Sequence, residues 1–380
     1  MNYSVDTVIV GGGPAGSSCA LTLQRNGVSS LIVEKRAFPR DKTCGGLLTE
    51  KTYKLARALL APGGGELPDD FFVDVSDTIE LWYGTERLAG SKVQKPLRKI
   101  KRSDFDNRLI EEYKRAGGTV LEHAECASVD MASHRLTLKD GGEISFRHLV
   151  AADGVFSPTA RLLGCKAPRL GFCTEAHVPK PGRDDDGVIK IHFGMLKVGY
   201  GWVFPHGDML CVGLGGAYEH GDRYDHLLRD YLAMNGLATD CTIRGAFIPS
   251  GELVDQRRGP DDAVLIGDAG GFIDPLTGEG LYFALATGIA AAQAVADSER
   301  SGAVFRADFI KKAAPYSKIV TQGNKAQSVF FSGVDKPAFR KKLKGRDGFV
   351  GYFSDHQLSE YGYSYARVWE IALDYKKRGK

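Results

Sequence analysis

Three glycines in the order G-x-G-x-x-G, Gly11, Gly13 and Gly16, and an acid eighteen residues past the last of them, Glu34, have spacing that carries chemistry. Gly11 permits a tight turn, Gly13 lets a pyrophosphate approach the backbone, and Gly16 lets a helix pack closely on a strand. A helix opening at Pro14 and Ala15 leaves free N–H groups for an anion. A carboxylate at Glu34, followed by Lys35 and Arg36, is placed to accept from both hydroxyls of a ribose. Two further acids, Asp153 before Gly154 and Asp268 after Gly267, close apolar runs. Taken singly, each reads equally as a turn or helix cap.

The elements that must position these residues are legible around them. The run from Asp6 to Val10 stops at the glycines and passes into Ala, Leu and Gln at helical spacing, so it reads as strand, turn and helix. Leu31-Ile32-Val33 is a second strand ending at Glu34. That context turns a lone glycine pattern into a dinucleotide-binding reading. Residues 71–99 alternate as strands do (Ile79, Leu81, Tyr83), and a helix follows, capped by Ser103 or Asp104 and carrying Phe105, Leu109, Ile110 and Tyr113. Leu149 to Ala152 and Ala263 to Ile266 are buried strands that lead to the two further acids. After the second come Pro275, Gly278 and Gly280, then an alanine-rich helix from Leu281 to about Arg300. Strand-like pieces near 189–193, 201–205 and 210–214 and a helix over 222–237 have a different texture.

A length of 380 residues suggests two domains or one large fold with an insertion, and a net charge of +3 argues against a nucleic-acid partner. Seven scattered cysteines without C-x-x-C point to reduced thiols in a cytoplasmic setting, with neither disulfide nor bound metal expected. The N-terminus lacks the features of a signal peptide, and Leu281 to Val295 is too short to span a bilayer, which leaves peripheral membrane contact open. His177, His192, His206, His220 and Asp184-Asp185-Asp186 lack ligand spacing. Only His206, beside the 200–205 block, has a claim on a site.

The order of motifs, G-x-G-x-x-G, an Arg opening a helix near 100, D-G near 150 and G-D near 270, resembles the FAD-dependent group-A monooxygenase and geranylgeranyl reductase superfamily. Two blocks resemble the geranylgeranyl reductase branch: Lys42-Thr43-Cys44-Gly45-Gly46, like its K-x-C-G-G, and Tyr200-Gly201-Trp202-Val203-Phe204-Pro205, like its Y-x-W-x-F-P. The resemblance implies non-covalent FAD, with Glu34 on the adenosine ribose, Arg102 along the flavin and Asp268 at the ribitol and pyrophosphate. It implies an α/β fold: a discontinuous Rossmann-type FAD domain (1–70, 97–165, 255–305), an inserted and mostly antiparallel substrate sheet (71–96, 166–254) and a helical tail (306–380).

The implied reaction passes hydride from reduced flavin to carbon–carbon double bonds of an isoprenoid, lipid-like substrate. Tyr200, Trp202 and Phe204 would then wall an apolar tunnel, and Cys44 would relay a proton or touch the ring. For the aromatics, plain core packing is an equal reading; for Cys44, packing against flavin is. A second G-x-G-x-x-G is absent, so reducing equivalents come from transient NAD(P)H or from a protein donor of reductase or ferredoxin type. Two rival functions are an aromatic monooxygenase using NAD(P)H and O2, and an electron-transfer flavoprotein serving a quinone or partner protein. A halogenase is disfavoured, because its W-x-W-x-I-P is not matched at 201–205. The basic run from Lys336 to Arg346 could meet anionic lipid or stay a solvated surface.

Overall fold

A computed structural model describes residues 2–182, 187–219, 223–357 and Tyr365. The runs of Val, Ile and Leu form one parallel sheet, in the order β17 (Ala263–Leu265), β11 (His148–Ala151), β2 (Thr7–Val10), β3 (Ser30–Val33), β7 (Thr119–Leu121). Every residue of β17, β11, β2 and β3 is shielded from water, which is why they read as continuous apolar runs rather than alternations. One face carries α1 (Pro14–Arg25), α3 (Arg102–Arg115) and α6 (Leu281–Ser301), which share its apolar core. On the other lies a small sheet, β1 (Asn2–Ser4), β10 (Glu143–Ser145), β9 (Arg135–Leu138), β8 (Cys126–Asp130), whose Leu136, Leu138 and Ile144 pack on Val8, Val10, Leu31 and Val33.

The alanine richness of α6 has a packing cause. It crosses α1 so closely that a Cβ on Gly288 would stand 2.1 Å from Ser18 Oγ, and that hydroxyl sits 3.3 Å from the Leu285 carbonyl.

An eight-stranded sheet faces this unit, in the order β16 (Arg244–Pro249), β12 (Leu170–Pro179), β15 (Met209–Ala217), β14 (Gly199–His206), β13 (Ile189–Phe193), β5 (Asp74–Tyr83), β6 (Glu86–Lys99), β4 (Leu47–Leu48). All its pairings are antiparallel except β13 with β5. α5 (Tyr224–Met234) covers one face through Leu228, Tyr231 and Leu232; Trp202, Phe204 and Cys211 line the other. α2 (Glu50–Leu60) and the short α4 (Pro158–Leu162) complete the nucleotide side. The tail is α7 (Phe305–Val334), α8 (Pro337–Leu343) and α9 (Asp347–Gln357).

One boundary departs from the sequence expectation. α3 begins at Arg102, so Ser103 and Asp104 lie inside its first turn and cap nothing; Lys101 holds the cap position without a side-chain bond. The early start places Arg102 and Asp106 one turn apart on the same face, where they pair. Asp184, Asp185, Asp186 and His220 lie outside the described residues.

Candidate active site

At the nucleotide end the glycines sit where close approach demands them. Gly11 has φ +102°, and a Cβ there would come within 2.4 Å of the Ala152 carbonyl; one on Gly16 would stand 1.9 Å from Gly11 O. Gly13 differs, since its nearest atom is Arg40 Nη2 at 3.5 Å, which leaves open space over the start of α1. No side chain caps that helix, and Pro14 occupies its first turn, with Ala15 buried beneath. Glu34 is 5% exposed; one of its oxygens accepts from Gly12 N–H at 2.9 Å and the other from Arg36 N–H at 3.0 Å. Each oxygen keeps a lone pair for a further donor. The Lys35 and Arg36 side chains are exposed.

Arg40, to which the sequence assigns no role, stands over this loop. Its guanidinium lies 3.8 Å from Glu34, 3.6 Å from Asp106 and 4.9 Å from the Phe38 ring centroid, and its buried Nε has no partner among the described residues. An uncapped helix start, open space at Gly13 and an orphaned guanidinium N–H together fit a pyrophosphate.

The second cluster forms where the 41–46 segment meets the large sheet. Cys44 N–H donates to Glu175 Oε1 at 3.0 Å, and Gly46 N–H lies 3.4 Å from Cys44 Sγ. Gly45 rests on Phe204 and Trp202, with a Cβ there 3.0 Å from the Phe204 ring. Arg102 forks onto Asp106 through Nε and Nη2 at 2.9 and 3.0 Å and faces the Cys44 thiol. Burial works against its charge, while Asp106 and Cys44 hold its pKa above the usual guanidinium value. Glu175, also missed from sequence, is 5% exposed. Burial pushes its carboxyl up, against the Cys44 N–H and the charges of Lys42, Arg102 and Arg244.

Asp268 lies in a 3-10 turn after β17, beside the start of α6. A Cβ on Gly280 would be 3.7 Å from its Oδ1. Desolvation raises its pKa, and Lys42 and Arg102 oppose the shift, so Asp268 and Glu175 face the same two cations. Tyr200 Oη donates to Thr277 O at 2.5 Å and passes over Gly278, so β14 anchors the 275–280 loop. Glu279 locks that loop from below: Lys51 Nζ lies 2.6 Å from Oε2, and the Thr49 and Thr52 hydroxyls lie 2.6 and 2.8 Å from Oε1.

Other expected residues serve the frame. Ser157 caps α4, its hydroxyl accepting from Ala160 N–H at 2.9 Å; Asp153 accepts from Ser157 Oγ and, at 3.0 Å, from Thr159 N–H, so its carboxylate braces that cap, while Gly154 takes φ +87° to turn the chain. Pro275 packs against Gly251 and Gly323, and its carbonyl accepts from Gln327 of α7 at 2.6 Å. Gly267 donates its N–H to Thr287 Oγ1 and sits against Ala15; Leu281 is buried in the core. His206 meets His177 at the end of the same sheet face, rings 4.9 Å apart. His192 stacks on Trp82, remote in role from the others. Among the described residues no group of His, Cys, Asp or Glu could hold a metal ion.

Residues 4–178 match a family model described as an FAD binding domain. The chain is 30% identical to a menaquinone reductase of Mycobacterium tuberculosis over 76% of this chain and 76% of that protein. It is 29% identical to a geranylgeranyl diphosphate reductase of Rhodobacter capsulatus over 83% and 82%. Its fold matches a solved geranylgeranyl bacteriochlorophyll reductase-like protein from Thermoplasma acidophilum with TM-score 0.78 at 19% identity, covering 98% of this chain and 96% of that one. On this ancestry the chain belongs to the geranylgeranyl reductase family of FAD-dependent oxidoreductases.

Proposed function

We propose that this enzyme adds hydrogen across carbon–carbon double bonds of an isoprenoid chain. Reduced FAD, when bound, supplies the hydride. The observation that carries the reading is the row of Tyr200, Trp202 and Phe204 along one face of β14, closed by Gly45 and adjoining a thiol and a buried guanidinium. An isolated alkene offers no carbonyl to take up charge, so the reacting bond needs a dry wall and fixed placement. Trp202 and Phe204, 7% and 6% exposed, supply that wall.

Cys44 Sγ delivers the proton to the second carbon, and the Gly46 N–H and Arg102 stabilise the thiolate left behind. Glu175 fixes the loop that carries the thiol. For the cofactor, the α1 N-terminus and Arg40 take the pyrophosphate and Glu34 the adenosine ribose, while Asp268 and the 278–280 turn take the ribityl side. The positive end of α6 favours negative charge over that turn.

The test is anaerobic reduction of the FAD-loaded protein followed by prenyl lipids and aromatic acids in turn. Reoxidation by a prenyl lipid with a two-dalton gain per bond is expected. Oxygen-dependent hydroxylation of an aromatic acid, with the lipid unchanged, sinks the reading. Cys44→Ser should lower turnover about a hundredfold while FAD stays bound; unchanged turnover returns Cys44 to packing. NADPH, NADH and a ferredoxin-type protein are the donors to compare.

The relative named menaquinone reductase supports a second reading, in which a quinone ring accepts the electrons. Air returns a reduced ring to its starting mass, whereas a saturated tail keeps the gain. For the lipid partner, Lys341 and Lys342 on α8 are exposed, and among the described residues no helix is long and apolar enough to cross a membrane. The reading is therefore peripheral contact, tested by salt-sensitive sedimentation with anionic vesicles.

A further inference from the structure

The site-facing side of the large sheet changes character along its strands. Register sets His177 opposite Cys211, and Cys211 opposite Phe204. Paired residues share a face and alternate residues return to it, so Tyr200, Trp202, Phe204 and His206 of β14 lie on one side with Cys173, Glu175 and His177 of β12. The face is aromatic at one end and carries two imidazoles, rings 4.9 Å apart, at the other.

Cations collect around that pair. Arg244 stands opposite Glu175 on β16 and acts on His177; Lys99 and Lys101 act on His206. Lys42 faces Glu175 and Asp268 nearby. The acids set against them are Asp41, 3.3 Å from Arg244, Asp74, 3.7 Å from Lys99 and 3.8 Å from Lys180, and Asp104, 3.9 Å from Lys101. Arg102 is offset by Asp106. With Glu175 and Asp268 counted, six carboxylates match the six cations, so the corner turns positive as the imidazoles take up protons. Burial and the neighbouring cations hold both histidines below their ordinary pKa, with Asp74 opposing the shift at His206.

We propose that this end of the face is a phosphate-binding subsite, separate from the glycine loop, in which His177, His206 and Arg244 hold a phosphate or diphosphate whose attached group runs toward Phe204 and Trp202. Phosphate oxygens accept from imidazole N–H groups and from a guanidinium fork. From His206 to Phe204 is two strand residues, about 7 Å, so one ligand can span the polar and apolar halves. The phosphate has two sources, the head of a prenyl substrate or the nicotinamide donor.

Calorimetric titration of the FAD-loaded protein with inorganic pyrophosphate tests the subsite without turnover. Binding should weaken about tenfold or more in His177→Gln/His206→Gln, and also in Arg244→Gln, whose side chain is 60% exposed and tolerates change. The flavin absorbance should persist in each. Affinity should fall as pH rises toward about 6.5, because imidazoles held below that ordinary value have lost their charge by then. Equal affinity in wild type and variants, or no binding to the wild type, overturns the proposal. A KM raised for a prenyl diphosphate but not for the prenol of the same length assigns the head group; a KM raised for NADPH but not NADH assigns the donor. These kinetic arms rest on the reductase reading. If the wild type reduces no prenyl compound, that reading fails and the calorimetry still decides the subsite.

Discussion

Gly13 is the residue on which cofactor binding turns most directly. The space above it is open apart from Arg40, so Gly13→Asp would put a carboxylate where the pyrophosphate fits and repel it. The variant should purify colourless but folded; full FAD occupancy would refute the assignment. His192 makes a separate prediction about pH. It is 3% exposed, its Nδ1 lies 3.2 Å from Gly84 O, and burial pushes its pKa down to about 4. The unfolded chain binds this proton near the ordinary value and the folded chain does not, so the protein loses stability as pH falls from about 6.5 toward about 4. The loss is on the order of 3 kcal/mol. The raised carboxyls of Glu175 and Asp268 act with opposite sign, disfavouring the fold as pH rises past the ordinary carboxylate range. Comparing Tm against pH for wild type and His192→Phe isolates the histidine, and a slope unaltered by the substitution would contradict its buried, neutral state.

At the scale of elements, the clasp between Glu279 and the 49–52 segment joins α2 to the loop before α6. Lys51 is wholly buried and its partner carboxylate nearly so, so removing one partner leaves the other's charge inside without that counter-ion. Glu279→Ala should destabilise the protein by about 3–5 kcal/mol, read as a lowered denaturation midpoint. Lys51→Met paired with Glu279→Leu should recover much of that loss, because no lone charge is then left inside. A single variant as stable as wild type would show that water reaches the pair. The same loop is held from the other side by Tyr200, so two elements distant in sequence set its position together.

For the whole molecule, FAD held by the residues proposed above would touch both the parallel sheet's loops and the large sheet, and should act as a staple. A ligand that binds only the folded state adds about 2.7 kcal/mol at a hundred times its dissociation constant. Stripping the flavin should therefore lower Tm, and re-adding FAD should restore it in a concentration-dependent way. A Tm indifferent to FAD would mean that the layers hold one another without it.

The βαβ unit around Gly11–Glu34, the strand leading to Asp268 and the helix after Gly280 were legible because local chemistry dictates them: apolar runs for buried parallel strands, and glycines where backbones nearly touch. β12 was missed, although Ala176 and Val178 alternate with Glu175 and His177, because its apolar set is short and interrupted. The cap assigned to Ser103 or Asp104 failed for a tertiary reason: α3 starts where Arg102 can reach both Asp106 and Cys44. Chain pattern and the family resemblance it carries determined the cofactor class. Only the tertiary structure decided that Asp153 braces the first turn of α4, that Arg40 and Glu175 lie beside the candidate site residues, and that two histidines on different strands meet at one corner of the large sheet. Those outcomes depend on side chains brought together from distant positions, and no local periodicity encodes such a distance.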